Sequence, residues 1–273
     1  MPSKLQIGLI IIGDEILSGK RVDQHFSNSI KILLSHGFGI SWVITLCDDL
    51  NVCENFFKFS FNMSDCIVFC FGGIGSTPDD NTRQACANAL GTELEANSEA
   101  VKIIREKFNS MDTPVTKERL EMGKFPVGSQ IIPNPVNQIP GFHIRNHYFL
   151  PGFPKMAVPM MKWVLENEYK GFFSDFFEME YSFYVNLLYE STITPFLNKI
   201  NDDYLNLKVF SLPKSGSDKF DFEYTVELGI KTKSEIFREN KIVEKEFNQV
   251  ISHFRKKIIS LGGVIVREEK NTR

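Results

Sequence analysis

The fold is decided by the stretch FGGIGSTPDDNT at residues 71–82, which follows the apolar run CIVFC at residues 66–70. The pattern RQACANAL at residues 83–90 comes directly after it and is typical of a helix. A strand, a glycine loop and a helix N-terminus in this order bring unpaired backbone amides and the positive end of the helix dipole together, which favours anions. The stretch therefore predicts a phosphate site, although Asp79 and Asp80 bring negative charge to it.

Strand-like and helix-like segments alternate on the N-terminal side of this loop. The sequence predicts strands at residues 5–12, 40–46 and 66–71, with helices between them that end near Gly37 and Met63. An aliphatic run such as residues 5–12 is typical of a strand that is buried on both faces. The alternation predicts an α/β fold with a doubly wound, mostly parallel sheet.

A change in composition near Lys170 predicts a boundary between two domains, at residues 1–169 and 170–273. Before the boundary, the prolines and glycines of residues 125–142 predict a fixed irregular loop. Beyond it, the pattern predicts a small α+β domain that ends its last helix at residues 262–263. Its predicted strands lie at residues 178–188, 207–211 and 220–230, and its predicted helices at residues 194–201 and 243–261.

The composition is that of a globular protein large enough to bury a sizeable core, with 42% hydrophobic and 24% charged residues among 273. A net charge of -3 without any block of Lys and Arg argues against a nucleic-acid partner. The apolar runs are too short to cross a bilayer, and the first residues lack a signal-peptide cleavage site. The five cysteines form no C-x-x-C pair, so we expect reduced thiols and a cytoplasmic location.

Acidic pairs follow the predicted parallel strands, at residues 14–15 and 48–49 and within the glycine loop at residues 79–80. Because ligands of such sheets bind beyond the carboxyl ends of the strands, we expect these pairs to converge on one crevice. There the amides of residues 72–77 would hold a phosphate or pyrophosphate, and Asp80 would hold a divalent cation that screens it. The loop lacks the Gly-Lys-Ser/Thr of a P-loop and is not a G-x-G-x-x-G sequence, which argues against kinases and dinucleotide oxidoreductases.

Each acidic position also has a purely structural interpretation. Thr77 could be a helix N-cap, with Pro78 at the first helical position and Asp80 closing a capping-box-like bond. Glu15 and Asp23 could be a helix-start acid and a solvated charge. The acids that follow the second strand could simply form a turn.

Taken in order, these motifs resemble the molybdopterin-binding domain superfamily, and in particular the N-terminal domain of the competence/damage-inducible protein A (CinA) family. The resemblance extends from residue 5 to about residue 165. The matching stretches are GDEILSG at residues 13–19 with Val22 and Asp23, CDD at 47–49, GGIGSTPDDNT at 72–82, PNPV at 133–136 with PGF at 140–142, and LPGFP at 150–154. Ser76 stands where the family has a proline, and Cys47 stands where it has a glycine.

The resemblance implies a three-layer α/β fold that binds a nucleotide or pterin pyrophosphate over the glycine loop. It implies that Asp80 and Asp48 are catalytic, and that Asp80, Asp48 and Glu15 hold a divalent cation (Mg2+, Mn2+ or Co2+). The residues that it places around the ligand are Gly72, Gly73, Gly75, Ser76, Thr77, Thr82, Gly13, Glu15, Asp23, Asn134, Pro151 and Gly152. The C-terminal domain resembles the KH-like domain of CinA-type proteins but lacks a G-x-x-G clamp, so RNA binding is not expected.

These features favour a metal-dependent nucleotide pyrophosphatase that acts on ADP-ribose or a similar dinucleotide, the activity that the CinA-type resemblance implies. Two alternatives stay open: adenylyl transfer to molybdopterin, and non-catalytic binding of a pterin or nucleotide. The resemblance also implies association into homo-oligomers. The residues up to Arg273 contain no counterpart of the amidohydrolase domain of full-length relatives, so deamidation of nicotinamide nucleotides is not expected.

Overall fold

Two units make up the chain, Met1–Phe173 and Ser174–Arg273. The computed structural model describes residues 6–172, 179–214, 224–232 and 241–272. Three predicted strands begin outside these described residues, at residues 5, 178 and 220–223.

The strands of the first unit are β1 (Gln6–Ile12), β2 (Trp42–Leu46), β3 (Cys66–Phe71), β4 (Leu94–Ala96), β5 (Lys124–Pro126), β6 (Gln130–Ile132), β7 (Gly141–Ile144) and β8 (His147–Leu150). The central sheet has six of them in the order β2-β1-β3-β8-β7-β6, and β4 pairs with β5 separately. β1, β2, β3 and β8 are parallel, whereas β7 is antiparallel to both of its neighbours. The predicted mostly parallel sheet is confirmed.

Helices cover both faces of this sheet, which gives three layers. They are α1 (Asp14–Leu17), α2 (His25–Ser35), α3 (Leu50–Phe61), α4 (Thr82–Leu90), α5 (Ser98–Ser110), α6 (Lys117–Glu121) and α7 (Pro154–Glu168), followed by a 3₁₀ turn at Lys170–Phe172. Alternate residues of β1 enter the two apolar layers, because successive side chains of a strand point to opposite faces. Leu9 and Ile11 pack with α2 and α7, whereas Ile10 and Ile12 pack with α3, α4 and α5.

The prediction of an irregular loop at residues 125–142 was wrong, because this range contains β6, most of β5 and the first two residues of β7. These strands are three or four residues long, and their partners are distant in the sequence or lie across proline-rich turns. Prolines at residues 126, 133, 135 and 140 mark the strand ends instead of excluding strands. The order of strands β6 and β7 makes β6 parallel to β8, so both end at the same edge of the sheet.

The second unit is an antiparallel sheet with helices on one face, which confirms the α+β class. Its elements are β9 (Met179–Asn186), α8 (Glu190–Asp203), β10 (Leu207–Pro213), β11 (Val226–Thr232), α9 (Lys241–Ser260) and β12 (Val264–Thr272). The strand order is β10-β11-β9-β12. Phe183 and Leu228 from the sheet share an apolar core with Phe247 and Phe254 from α9. β12 was not predicted, and it begins directly after the glycine pair that ends α9.

The expectation of reduced thiols is met, since Cys47, Cys53, Cys66, Cys70 and Cys86 are all free. Within the described ranges, none of the helices combines the length and the hydrophobicity that crossing a bilayer requires.

Candidate active site at the carboxyl edge of the sheet

The carboxyl ends of the parallel strands lie side by side and are joined by backbone hydrogen bonds. The Gly13 amide, just after β1, donates to the carbonyl of Leu46 at the end of β2 (3.0 Å). The Gly72 amide, just after β3, donates to the carbonyl of Leu150 at the end of β8 (3.0 Å). The predicted site residues that follow these strands therefore share one edge of the sheet, where ligands of doubly wound folds bind.

The glycine loop, residues 72–77, turns sharply because Gly72 and Gly73 adopt positive φ angles of 102° and 66°. A Cβ atom at Gly72 would lie 2.2 Å from the carbonyl oxygen of Ile12, and one at Gly73 would lie 2.1 Å from Oγ1 of Thr82. The Thr82 hydroxyl donates to the Gly72 carbonyl at 3.0 Å. The path of the loop is thus fixed against β1 on one side and against the first residue of α4 on the other.

Asp80 lies against the inside of the glycine loop. Its Oδ1 accepts the Gly75 amide at 2.8 Å, and its Oδ2 accepts the amide and the hydroxyl of Thr77 at 2.8 and 2.5 Å. Residues 77–80 form a separate turn, closed by the Asp80 amide on the Thr77 carbonyl at 3.0 Å, and α4 begins only at Thr82 with Asn81 as its N-cap. The interpretation of Thr77 as the N-cap is therefore wrong, although its bond to Asp80 has the form of a capping box.

Internal bonds use part of the set of amides that was predicted to bind phosphate. The Gly72 amide is bonded to β8, and those of Gly75 and Thr77 are bonded to Asp80. The amides of residues 73, 74 and 76 donate to no acceptor within the described parts of the chain. Positive φ at Gly73, together with the consecutive unbonded amides of Gly73 and Ile74, fits an anion-binding nest.

Asp48 is joined to Asp14 by a reciprocal pair of bonds across the ends of β2 and β1. The Asp14 amide donates to Oδ2 of Asp48 at 2.8 Å, and the Asp48 amide donates to Oδ1 of Asp14 at 3.3 Å. Burial raises the pKa of the Asp48 carboxyl, and the charges of Asp14, Glu15 and Asp79 raise it further, against the lowering effect of the Asp14 amide. The predicted convergence of acids at this edge thus includes Asp14 and Asp79. Asp49 instead caps α3 by accepting the amide of residue 52 at 2.9 Å.

Glu15 and Asp23 have local partners. Glu15 lies 3.9 Å from the guanidinium of Arg21, and both side chains are exposed. Asp23 accepts the amides of His25 and Phe26 at 2.9 and 3.0 Å, and so holds the first turn of α2. Glu15 lies in the first turn of α1, which agrees with its interpretation as a helix-start acid, whereas Asp23 is bonded to backbone amides and is not simply a solvated charge. A role in ligand binding stays a prediction for both residues.

His25 is a buried residue at this edge that sequence analysis missed. Its ring stacks on Phe71 at 4.5 Å between centroids, and its Nε2 lies 3.1 Å from the carbonyl oxygen of Gly152. A carbonyl oxygen can only accept, so Nε2 carries the proton in this bond. Burial lowers the pKa of His25, opposed by the bond to Gly152 and the charge of Asp23. The side chain ties the predicted Pro151–Gly152 segment to the strand that leads into the glycine loop.

Arg83 is a second buried residue without a recognisable signal in the sequence. It lies in the first turn of α4 with 7% of its surface exposed. Its guanidinium donates to the carbonyl of Ile74 through Nη1 and to the carbonyl of Gly75 at 2.6 Å through Nη2. A polar helix start is ordinarily solvated, so only the structure reveals that this arginine points back into the loop.

Asn134 follows β6 and lies at the same edge of the sheet, where it shapes a turn. Its Oδ1 accepts the amide of Val136 at 3.1 Å, and its backbone carbonyl accepts the amide of Gln138 at 3.0 Å. The side chain is buried, and its Nδ2 has no hydrogen-bond partner in the described parts of the chain. These contacts are those of an Asx-turn, and ligand binding by Asn134 stays a prediction.

The predicted metal ligands do not form a complete cage by themselves. Among the residues that the structure describes, no three His, Cys, Asp or Glu side chains are grouped closely enough to hold a metal ion. Asp80 already accepts three hydrogen bonds, whereas Oδ1 of Asp48 accepts none from the described residues. This donor set fits Mg2+, which binds through one or two carboxylates together with waters and the phosphate oxygens of a substrate.

Comparison with known proteins identifies the family of the domain that carries this edge. A family model described as a probable molybdopterin binding domain matches residues 8–170. A protein of Sulfolobus acidocaldarius is 33% identical over 238 residues, which cover 84% of this chain and 88% of that protein. A protein of Sulfurisphaera tokodaii is 29% identical over 266 residues, which cover 95% and 97% of the two chains.

A solved structure is also similar to this chain. It is described as the protein CinA with unknown function from Thermoplasma acidophilum, with 29% identity and a TM-score of 0.54 over 59% of this chain and 98% of that one. The part of the chain that the family model matches carries the glycine loop and the acids beside it. The chain therefore belongs to the family of probable molybdopterin-binding domains, and within it resembles CinA.

Proposed function

We propose that this chain binds the phosphate or pyrophosphate of a pterin or nucleotide ligand over the glycine loop and takes part in phosphoryl-type chemistry there. The observation that carries the proposal is the group of unbonded amides at residues 73, 74 and 76, within a loop whose other amides are saturated. Amides held in this way bind an anion without any rearrangement of the backbone. Membership of the molybdopterin-binding family supports a pterin phosphate as the first ligand to consider.

The remaining predicted residues have complementary roles in this proposal. Gly13, Pro151 and Gly152 would line the sides of the ligand, since they follow the neighbouring strands β1 and β8. Ser76 would offer its hydroxyl at the exposed side of the loop, and the Thr77 hydroxyl, which donates to Asp80, would accept a hydrogen bond from the ligand. The ordering contacts of residues 23, 82 and 134 would keep the surrounding backbone in place.

A divalent cation, Mg2+, Mn2+ or Co2+, is part of the proposal because the edge is acidic. Asp48 would hold it, with Asp80 and Glu15 as further ligands and the ligand's phosphate oxygens completing the coordination. Such an ion offsets the repulsion between phosphate and carboxylates and polarises the phosphorus–oxygen bonds. Asp48 is the most suitable carboxylate because Oδ1 accepts no hydrogen bond from the described residues.

Two reactions are compatible with this site and differ in their need for a base. In adenylyl transfer, the phosphate of a pterin attacks the α-phosphorus of ATP and pyrophosphate leaves, so the nucleophile is already anionic. In hydrolysis of ADP-ribose, water attacks the pyrophosphate and must lose a proton. The family supports transfer as the first candidate. The acids at this edge support hydrolysis as the second, because a carboxylate such as Asp48 beside a bound cation would orient the attacking water.

Product analysis distinguishes these reactions. The purified chain would be incubated with Mg2+, Mn2+ or Co2+ and either ADP-ribose, NAD, FAD or ATP alone, or molybdopterin together with ATP. Adenylylated pterin and pyrophosphate support transfer, whereas AMP and ribose 5-phosphate from ADP-ribose support hydrolysis. Binding without product supports a non-catalytic pterin or nucleotide carrier. Absence of binding to every compound would overturn the proposal.

Asp48→Asn tests the role of the acidic cluster. We expect hydrolytic turnover to fall by about 10² or more, because the variant loses the carboxylate charge that would hold the cation and orient the attacking water. Asp49→Asn is the matched control, since asparagine also caps a helix and the neighbouring cluster stays intact. Equal activity of the two variants would exclude Asp48 from the reaction.

Homo-oligomer formation and a cytoplasmic location also stay proposals. The first rests on the resemblance to CinA-type proteins, and the second rests on the reduced cysteines. Size-exclusion chromatography with light scattering would test the first directly.

A further inference from the structure

The peptide group between Ile74 and Gly75 is held from both ends by two side chains. Arg83 donates to its carbonyl oxygen, on Ile74, and Asp80 accepts its N–H, on Gly75, at 2.8 Å. In a trans peptide the C=O and the N–H point in opposite directions within one plane. Holding both therefore fixes the orientation of that plane, which neither contact would do alone.

The same side chains extend their hold to the peptide groups that follow. The second Nη of Arg83 donates to the Gly75 carbonyl at 2.6 Å, and Oδ2 of Asp80 accepts the Thr77 amide at 2.8 Å. Asp80 lies two residues before α4, and Arg83 lies in the first turn of this helix. Burial lowers the pKa of Arg83, and the charges of Asp80 and Glu121 oppose this shift. Arg83 and Asp80, which are close in the sequence, thus bond to the same short piece of backbone, residues 74–77.

This hold determines where the unbonded amides point. The N–H groups of Ile74 and Ser76 belong to the peptide groups on either side of the fixed one. Rotation of the fixed plane would turn both of them, and the nest would be lost. Arg83 has no acidic oxygen with which to hold a cation, and its guanidinium is occupied by loop carbonyls, so its contribution is to the shape of the loop.

We infer that Arg83 is a positioning residue for the anion site, and that it acts with Asp80 as one unit, the loop clamp, which presents the amides of Ile74 and Ser76 to a phosphate group. This inference rests on the proposed function. It also gives Asp80 a task that does not depend on a cation, because the bonds from Gly75 and Thr77 exist without one. Arginine is required because its planar fork reaches two carbonyls, whereas lysine donates from a single point.

The test compares Arg83→Lys and Arg83→Met with the wild type in two measurements. Calorimetric titration with inorganic pyrophosphate and Mg2+ gives the affinity of the anion site. Amide exchange measured by NMR gives the protection of Gly75 and Thr77 without any ligand. We expect each Arg83 variant to weaken pyrophosphate binding by about tenfold or more and to speed exchange of both amides by a similar factor. Exchange in β3 should not change, which excludes general destabilisation.

Two further variants sharpen the result. Arg119→Lys is the matched control, because Arg119 also donates to a backbone carbonyl, that of Pro114, but far from the loop in sequence, on α6. It should leave both measurements unchanged. In the clamp, Asp80→Asn and Arg83→Met should be non-additive, since either one releases the same peptide group. Additive losses would mean that the two residues act separately and would overturn the clamp as a unit.

The outcomes separate this inference from the function on which it rests. Retention of wild-type pyrophosphate affinity by both Arg83 variants would overturn the positioning role, as would unchanged exchange of Gly75 and Thr77. If Arg83→Met fails to fold, Arg83→Lys decides alone. If the wild type itself binds no pyrophosphate, the proposed function fails, while amide exchange still determines whether the clamp exists.

Discussion

The sheets of the two units use their polar side chains in different ways. In the first unit, the parallel strands end at one edge, so the residues that follow them collect there and bond to loops and backbone amides. In the second unit, the antiparallel strands end alternately at two edges, and polar side chains pair across the strands instead. Ser182 donates to Glu227 at 2.7 Å, and Tyr184 donates to Glu269 at 2.9 Å. The parallel sheet brings polar side chains together at one edge, whereas in the antiparallel sheet polar side chains join neighbouring strands.

The two sheets nevertheless share one packing device. Trp42 on β2 lies over Gly8 of the neighbouring β1, and Phe210 on β10 lies over Gly229 of the neighbouring β11. In each case an aromatic ring on an edge strand covers a glycine of the next strand. The missing side chain makes room for the ring, and the ring shields the backbone that glycine leaves bare. Because this packing occurs in both sheets, it is not a feature of the candidate site.

Substituting alanine at Gly72 and at Gly229 compares how strongly the glycine loop and the second sheet each require glycine. Gly72→Ala places a Cβ 2.2 Å from the backbone carbonyl oxygen of Ile12, at a φ of 102° that alanine rarely adopts. Relieving either problem requires a shift of the backbone itself. We expect a loss of roughly 3 kcal/mol or more in the stability of the first unit. In Gly229→Ala, the three atoms nearest the new Cβ belong to the Phe210 ring, which can rotate away at the sheet edge, so we expect a loss of about 1 kcal/mol.

Urea unfolding followed by the amide resonances of each unit would measure both values. Gly229→Ala should leave pyrophosphate binding unchanged, whereas Gly72→Ala should abolish it. Equal losses of stability in the two units would contradict the distinction between a backbone obstacle and a side-chain obstacle.

Acidification should destabilise the first unit through His147. This residue is buried, and its Nε2 lies 2.8 Å from the Ser60 hydroxyl. Burial, with a smaller effect from the charge of Arg145, lowers the pKa of His147 from 6.5 to about 3. Below pH 6.5 the unfolded chain binds a proton that the folded protein accepts only near pH 3, so stability falls with decreasing pH across this window. Between pH 7.5 and pH 5 the loss should be about 2 kcal/mol.

His147→Gln provides the comparison. It removes the titrating group, so the pH dependence of the first unit should become weaker even if the variant is less stable at pH 7.5. The second unit has no buried histidine among its described residues, and its unfolding should change less over the same range. An unchanged pH dependence in His147→Gln would assign the acid sensitivity to other groups.

Arg255→Met tests the paired side chains of the second unit. Arg255 on α9 contacts Glu268 on β12 through Nε at 2.9 Å and Nη2 at 2.5 Å, and both side chains are partly exposed. Because solvent and salt screen such a pair, we expect a loss of about 1 kcal/mol, smaller in 1 M NaCl. Pyrophosphate affinity should be unaffected. A change in that affinity would mean that the second unit contributes to the candidate site.

The sequence predicts the parallel sheet well because its signals are local. The aliphatic run of β1 and the apolar run of β3 are each continuous, and burial on both faces leaves no other pattern for such strands. β12 gives no such signal, since it is an edge strand with charged residues at positions 267–270. Charges on an edge strand prevent pairing with other chains, and in the sequence they resemble a solvated tail.

In the candidate site, too, the features with a local signal in the sequence were predicted and the others were not. Convergence of the acidic pairs on one crevice follows from the order of strands and loops, whereas the reciprocal bonds between Asp14 and Asp48 are seen only in the structure. The capping-box rule anticipates the bond between Asp80 and Thr77. The bond of Asp80 to Gly75 and the inward direction of Arg83 depend on the path of residues 72–77, which no local rule specifies. His25 was missed for a similar reason, because its partner Gly152 lies 127 residues further along the chain.

The position of Trp42 over Gly8 also provides an optical probe. Both tryptophans of the chain, Trp42 and Trp163, belong to the first unit, and they pack on opposite faces of its sheet. The second unit contains tyrosines but no tryptophan. Tryptophan emission therefore reports on the unit with the glycine loop alone, without any added label. A ligand that shifts this emission would be acting on that unit.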